Sequence, residues 1–247
     1  MNTKIIAHRG ASQYKPENTL PAFRLAMEQG VHGFELDVHL TKDGCVVVAH
    51  DLFLERVSNG KGRICDYDLT DLKKLDFGKP IPGSDPCSIP TLAEVYELVA
   101  GTNLTINVEL KNLEELYPAL PKKLIELETE YGMENRVLYS SFNHYSLLHI
   151  KQYNKNAPIG ILYDLGLVEP WVYAKQLVAH AIHPHYKIIA ALPETVSICH
   201  KEGIEVNVWT VDDPSAMKLM MDLGVNNLMT NTPNIALQLQ QKELSNE

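Results

Sequence analysis

Short apolar runs alternate with stretches of helical periodicity along most of the chain. Residues 4–7 form an apolar run that stops at His8. Over 18–29, Leu20, Phe23, Ala26 and Met27 recur on one helical face, with Asn18 or Thr19 as cap and Pro21 in the first turn. Gly30 and Gly33 close that helix. Residues 34–40 read as a strand, Lys42-Asp43-Gly44 as a hairpin-type turn, and 45–49 as a second, very apolar strand. The texture changes over 51–90, which is rich in Gly, Pro, Asp and Ser and has little periodicity. Thr91 then caps a helix over 92–100, and alternation returns. Strands are predicted at 104–110, 137–142, 159–163, 181–183, 205–211 and 227–229, with helices over 113–131, 145–153, 170–178, 193–201, 214–223 and 233–240.

Repeated strand–helix units imply right-handed crossovers and a parallel sheet. About eight such units in a chain of 247 residues predict a closed (β/α)8 TIM barrel, a single domain over 1–247. Residues 51–90 are then an insertion after the second strand, packed over one mouth of the barrel. The alternative is an open doubly wound sheet, whose usual GxGxxG after the first strand is absent.

Composition narrows the function classes. Hydrophobic residues make up 45% and charged residues 21%, the balance of a soluble globular enzyme. The formal net charge of -9, with Lys and Arg scattered, argues against nucleic acid and anionic membranes as partners. No apolar run approaches the roughly 20 residues of a membrane span, and the first residues lack a signal-peptide core. Cys45, Cys65, Cys87 and Cys199 have neither CxxC nor zinc spacing and read as reduced thiols. A cytoplasmic protein without stable membrane insertion is the expectation, with its oligomeric state left open.

In such a barrel the active site lies at the C-terminal ends of the strands. Strand one ends in His8-Arg9-Gly10, strand two carries Glu35 and Asp37, the hairpin strand ends in His50-Asp51, and the next carries Asn107, Glu109 and Lys111. Glu35 and Asp37, spaced i, i+2, share one strand face roughly 7 Å apart at about 3.3 Å per residue. Two carboxylates facing a barrel interior repel each other and are costly to bury, and a cation between them relieves both problems. Glu109 can supply a third oxygen. An all-carboxylate set favours one hard divalent ion, Mg2+ or Ca2+, over zinc. Lys111 can hold an anion beside that ion. The competing reading is a salt-bridge network of these acids with Arg9 and Lys111. His8 and His50 fall beside the cluster and could give and take protons across a bound phosphodiester. The other histidines, His39 among them, read as structural, although His183 and His185 at a strand end keep a chance of lining the site. Trp209 shares a strand face with Glu205 and Asn207 and is either core or an apolar wall for substrate. The loops 211–214 and 230–233 lack the glycines of a phosphate-binding barrel loop, so the anion is expected near the first strands, at the metal, Arg9 and Lys111.

With those residues placed, the chain resembles the glycerophosphodiester phosphodiesterase family. The matching pieces, in order, are His8-Arg9-Gly10, Glu17-Asn18-Thr19, Glu35-Leu36-Asp37, His50-Asp51, Pro90-Thr91-Leu92, Glu109-Leu110-Lys111, Ser141-Phe142 and Val208-Trp209-Thr210. The resemblance implies a TIM barrel with a small insertion and a divalent ion at Glu35, Asp37 and Glu109. It implies His8 and His50 as acid–base pair, Arg9 and Lys111 as phosphate contacts, and Trp209 facing the glycerol. The implied reaction turns a small-molecule glycerophosphodiester, such as glycerophosphocholine, into sn-glycerol 3-phosphate and an alcohol, the glycerol 2-hydroxyl attacking first. The family often has Asp where this chain has Asn226 and Asn231, two positions read as lying away from the metal and touching substrate preference alone. Alternatives are a lysophospholipase D or sphingomyelinase D-like enzyme on the same scaffold, and a non-catalytic metal or phosphate-ester binding protein.

Overall fold

The computed structural model describes residues 3–78, 81–113 and 115–244. Residues 1–2, 79–80, 114 and 245–247 of the expected domain, insertion and helix lie outside the described residues. The described residues hold nine strands: β1 (Lys4–His8), β2 (Gly33–Leu40), β3 (Val46–Val48), β4 (Thr105–Leu110), β5 (Val137–Ser141), β6 (Ile159–Tyr163), β7 (Ala181–Pro184), β8 (Glu205–Val208) and β9 (Asn227–Thr230). All but β3 pair in parallel, in the order β1-β9-β8-β7-β6-β5-β4-β2, and β1 also pairs with β2. That last pairing closes a ring of eight strands, the expected barrel, with helices between strands. β3 hangs outside the ring as the antiparallel partner of β2.

Each barrel strand is covered on both faces, which is why the runs are short and apolar. On β2 all eight residues are buried. Phe34, Leu36 and Val38 pack into the main core between strands and helices. The first helix, Leu20–Gln29, begins where the Thr19 side chain accepts from Ala22 N–H and stops where Gly30 turns left-handed at φ 82. No helix among the described residues is long and apolar enough to cross a membrane.

Residues 51–90 hold two single-turn helices, Leu54–Val57 and Leu69–Leu72, and a 3-10 turn, Ile64–Asp66. They gather around a small second core of Val47, Leu54, Val57, Ile64, Leu72, Phe77 and Ile89. The three valines of β3 divide between the two cores, Val46 and Val48 to the barrel and Val47 to this cluster.

Some boundaries differ from the expectation. The helix expected from 113 begins at Leu120. Pro118 disfavours helical geometry at Tyr117, and Pro121 sits in the first turn of the helix, where its missing N–H has no intrahelical partner to lose, so the chain after β4 first runs as a loop that returns Tyr117 to the interior, 6% exposed. A short helix, Tyr186–Ala191, follows β7 where none was expected, and β8 ends at Val208, before Trp209.

Candidate active site

Strand alternation turns Glu35, Asp37 and His39 into the barrel, at 2%, 0% and 2% exposure. Parallel register sets Glu35 beside Asn107 and Asp37 beside Glu109. One carboxylate oxygen from each of Glu35, Asp37 and Glu109 lies within 4.8 Å of the others. The acidic cluster read from the i, i+2 spacing is therefore assembled at one place.

Two cations share it. Lys111 Nζ lies 2.8 Å from Glu109 Oε1 and 3.4 Å from Asp37 Oδ1, and Arg9 Nε lies 3.2 Å from Asp37 Oδ2. The turn after β1 aims Arg9. Arg9 and Asn18 both sit at φ 57, a region residues with side chains seldom adopt, and Asn18 N–H donates to the Arg9 carbonyl at 3.0 Å. Asn18 Nδ2 also donates to Asp37 Oδ2 at 2.8 Å. Glu17 accepts from Arg9 at 3.0 Å and from Arg56 at 2.8 and 2.9 Å, joining the β1 turn to the 51–90 segment.

The ion pairs of the competing reading are thus present, yet they do not satisfy the cluster. Three carboxylates face two cations, and the buried oxygens Glu35 Oε1 and Asp37 Oδ1 have no hydrogen-bond partner among the described residues. Burial and the neighbouring charges of Asp37 and Glu109 push the Glu35 carboxyl well above its ordinary value. Burial raises Glu109 as well, against the pull of Lys111. Burial acts the same way on Asp37, but Lys111 and Arg9 outweigh it and hold that carboxyl low. A buried site with excess negative charge, orphaned oxygens and hard donors fits a divalent cation. Ser140 Oγ, beside Glu109 in register and without a partner among the described residues, extends the unsatisfied polar wall.

His8 stands at the end of β1, its Nε2 3.8 Å from Glu35 Oε2. Its tautomer follows from the neighbours. Asn231 Nδ2 donates to Asp212 Oδ2 at 2.7 Å, which leaves Asn231 Oδ1 facing His8 Nδ1, also at 2.7 Å. Nδ1 therefore carries the proton and Nε2 presents a lone pair to the site. Burial and the Arg9 charge lower the His8 pKa to about 4, so the ring is neutral at physiological pH. His50, at the end of the hairpin strand, binds Asp51 Oδ1 through Nδ1 at 2.5 Å, and Arg56 Nε donates to Asp51 Oδ2.

Two cavities meet at these groups. A small one of about 80 Å3 is bounded by His8, Arg9, Glu35, Phe142, Leu162 and Trp209. Trp209 is fixed by its Nε1–H donating to the His183 carbonyl at 2.8 Å and by edge-on contact with Phe142 at 5.5 Å. A larger cavity of about 350 Å3 is bounded by His39, Leu52, Phe53, Leu113 and Phe142. His50, Glu109 and Lys111 border both, whereas His8 borders only the smaller.

Every site residue expected from sequence is in this neighbourhood: His8, Arg9, Glu35, Asp37, His50, Glu109, Lys111 and Trp209. His183 is not; it is fully buried in the barrel interior with Asn207 Nδ2 donating to its Nε2 at 2.9 Å, while His185 packs edge-on against Trp209 at 5.4 Å. The reading of Asn231 as remote from the chemistry is corrected, since it touches His8. Sequence reasoning also passed over Asp212, which orients Asn231. The available signal was barrel closure, which brings the polar residues after the last strand beside the end of the first.

Comparison with known proteins places the chain in one family. The model of the glycerophosphoryl diester phosphodiesterase family matches residues 8–235. A glycerophosphodiester phosphodiesterase of Caldanaerobacter subterraneus is 45% identical over 98% of this chain and 99% of its own. One from Bacillus altitudinis is 36% identical over 97% of this chain and 99% of its own. Among solved structures, a phosphodiesterase of Oleispira antarctica in complex with the product sn-glycerol-3-phosphate superposes with a TM-score of 0.89 at 30% identity, covering 97% of each chain.

Proposed function

The chain belongs to the glycerophosphoryl diester phosphodiesterase family, and on that premise we propose that it hydrolyses glycerophosphodiesters to sn-glycerol 3-phosphate and an alcohol. The observation that carries the reading is the junction of two unequal cavities at a cluster of acids, cations and two histidines. The phosphate fits that junction, held by Arg9 and Lys111. The glycerol fits the small cavity against Trp209, and the departing alcohol the larger one. Glu35, Asp37 and Glu109 would hold one divalent ion, Mg2+ or Ca2+, which would supply positive charge to the phosphoryl group.

The two histidines divide the proton work by position. His8 borders only the glycerol side and presents an unprotonated Nε2, held only by a long 3.5 Å contact to the Thr210 hydroxyl, so it takes the proton of the attacking glycerol 2-hydroxyl. The new P–O bond forms as the bond to the alcohol breaks. His50 borders the alcohol side and delivers a proton to the departing oxygen. Water then opens the cyclic phosphate with the roles reversed, leaving sn-glycerol 3-phosphate. Arg9 and Lys111 balance the phosphate charge throughout.

The small volume on the glycerol side disfavours the lysophospholipase D alternative. An acyl chain on the glycerol would have to pass Phe142, Leu162 and Trp209. The full set of histidines and acids likewise favours catalysis over a binding-only protein. The test is release of choline from glycerophosphocholine by chelated protein with Mg2+, Ca2+ or Mn2+ restored separately, run beside lysophosphatidylcholine. Ion-dependent turnover of the first substrate, well above the second, is expected; binding without choline release ends the proposal.

A further inference from the structure

His39 is the third inward residue of β2, two positions beyond Asp37, and both of its ring nitrogens are engaged. Nε2 lies 3.1 Å from the main-chain carbonyl oxygen of His50, and Nδ1 lies 3.1 Å from the Tyr117 hydroxyl. A carbonyl can only accept, so Nε2 carries the ring proton and Nδ1 accepts from the Tyr117 O–H. Donation therefore runs one way, from Tyr117 through His39 to the backbone of His50. The Tyr117 ring also meets the His39 ring edge-on at 5.8 Å. Tyr117 is anchored in turn, its backbone N–H donating to Asn112 Oδ1 at 3.0 Å.

This buried post joins three segments: the end of β2, the chain just beyond its hairpin partner β3 that bears His50, and the loop after β4 that carries Lys111 and Asn112. The His50 side chain is 30% exposed; its Nδ1 is held through Asp51, which Arg56 anchors, whereas His39 is what holds its main-chain carbonyl. Among the described residues, no other donor reaches the His50 carbonyl. We infer that His39 is a positioning residue for the reaction, holding the His50 backbone so that the imidazole faces the oxygen of the departing alcohol. This inference rests on the proposed role of His50 as proton donor to that oxygen. The chemistry it serves is specific, because only a leaving group that departs as a poor anion needs the proton.

The test is single-turnover release of the alcohol by the full chain with its divalent ion from two substrates, which reads the first step and not the later opening of the cyclic phosphate that both share. One is glycerophosphocholine, whose alkoxide requires protonation; the other is the p-nitrophenyl ester of glycerol 3-phosphate, whose phenolate does not. His39→Leu is expected to lower the single-turnover rate on glycerophosphocholine by about 10²-fold, as small misplacements of a reacting group do. The rate on the p-nitrophenyl ester should fall at least tenfold less than that. His39→Gln, whose amide can donate to the same carbonyl, should recover most of the loss, and Tyr117→Phe should fall between. Equal losses on both substrates, or a Leu variant as active as the Gln variant, overturn the inference. Should the Leu variant fail to fold, Tyr117→Phe and His39→Gln decide by the same substrate ratio. His50→Ala is the reference. If it slows both substrates equally, the proton-donor role of His50 itself is wrong. If it slows only glycerophosphocholine while the His39 and Tyr117 variants show no substrate difference, the positioning role alone fails.

Discussion

Replacing Glu35 by Gln should make the chelated protein more stable at neutral and alkaline pH while abolishing its response to divalent ions. Glu35 is 2% exposed, one carboxylate oxygen has no partner, and burial together with Asp37 and Glu109 raises its pKa in the folded state. A carboxyl whose folded pKa lies above the unfolded value of 4.5 contributes stability in full below that pH and loses it as pH rises through the folded value. The limiting slope is about 1.4 kcal/mol per pH unit. Gln keeps the shape and cannot ionise. Glu109 repels the Glu35 charge, so removing that charge also eases Glu109 and adds to the gain in the same direction. Glu35→Gln and wild type should thus melt alike near pH 4.5 in chelator and diverge above it. A gain of about 2 kcal/mol by pH 8 corresponds to a melting temperature higher by roughly 4–8 °C for a domain of this size. A divalent ion at about 100 times its Kd should add about 2.7 kcal/mol to wild type and little to the variant. Scanning calorimetry from pH 4.5 to 9, with and without ion, reads all of this. A variant that melts below chelated wild type at pH 8 would refute the reasoning, because Glu35 would then be satisfied without a cation.

Other outcomes follow from the same geometry. Asn231→Asp puts a carboxylate against His8 Nδ1 and should raise the His8 pKa, moving the acid limb of kcat/KM upward; an unmoved pH profile would detach that limb from His8. In wild type, with burial lowering His8 to about 4, the limb should lie well below the ordinary histidine value of 6.5. His8→Ala and His50→Ala should each cut kcat by about 10²- to 10⁴-fold with the fold intact by circular dichroism. Trp209→Ala should raise KM by about tenfold, the effect of roughly 1.4 kcal/mol, more than it lowers kcat.

How far this site can be read along the chain depends on how local each feature is. Glu35 and Asp37 are legible because two acids at i, i+2 in an otherwise apolar strand have nowhere to point except inward. Glu109 and Lys111 are legible the same way, and the parallel register of β2 and β4 then joins the pairs. Asn231 was not legible as a partner of His8, since the contact spans 223 positions and exists only once β9 closes against β1. The His39–Tyr117 link was hidden by a wrong helix start, since the helix expected from 113 begins at Leu120, after Pro118 and with Pro121 in its first turn. The 51–90 segment lacked periodicity because its helices, Leu54–Val57 and Leu69–Leu72, are single turns too short to show one.

The most direct examination of the metal cluster is an anomalous difference map from crystals grown with Mn2+ and sn-glycerol 3-phosphate. The account predicts one peak bonded to oxygens of Glu35, Asp37 and Glu109 and to the phosphate, with His8 and His50 on opposite sides of the phosphorus. A map without density there, the three carboxylates closed around Lys111 and Arg9 alone, would contradict it.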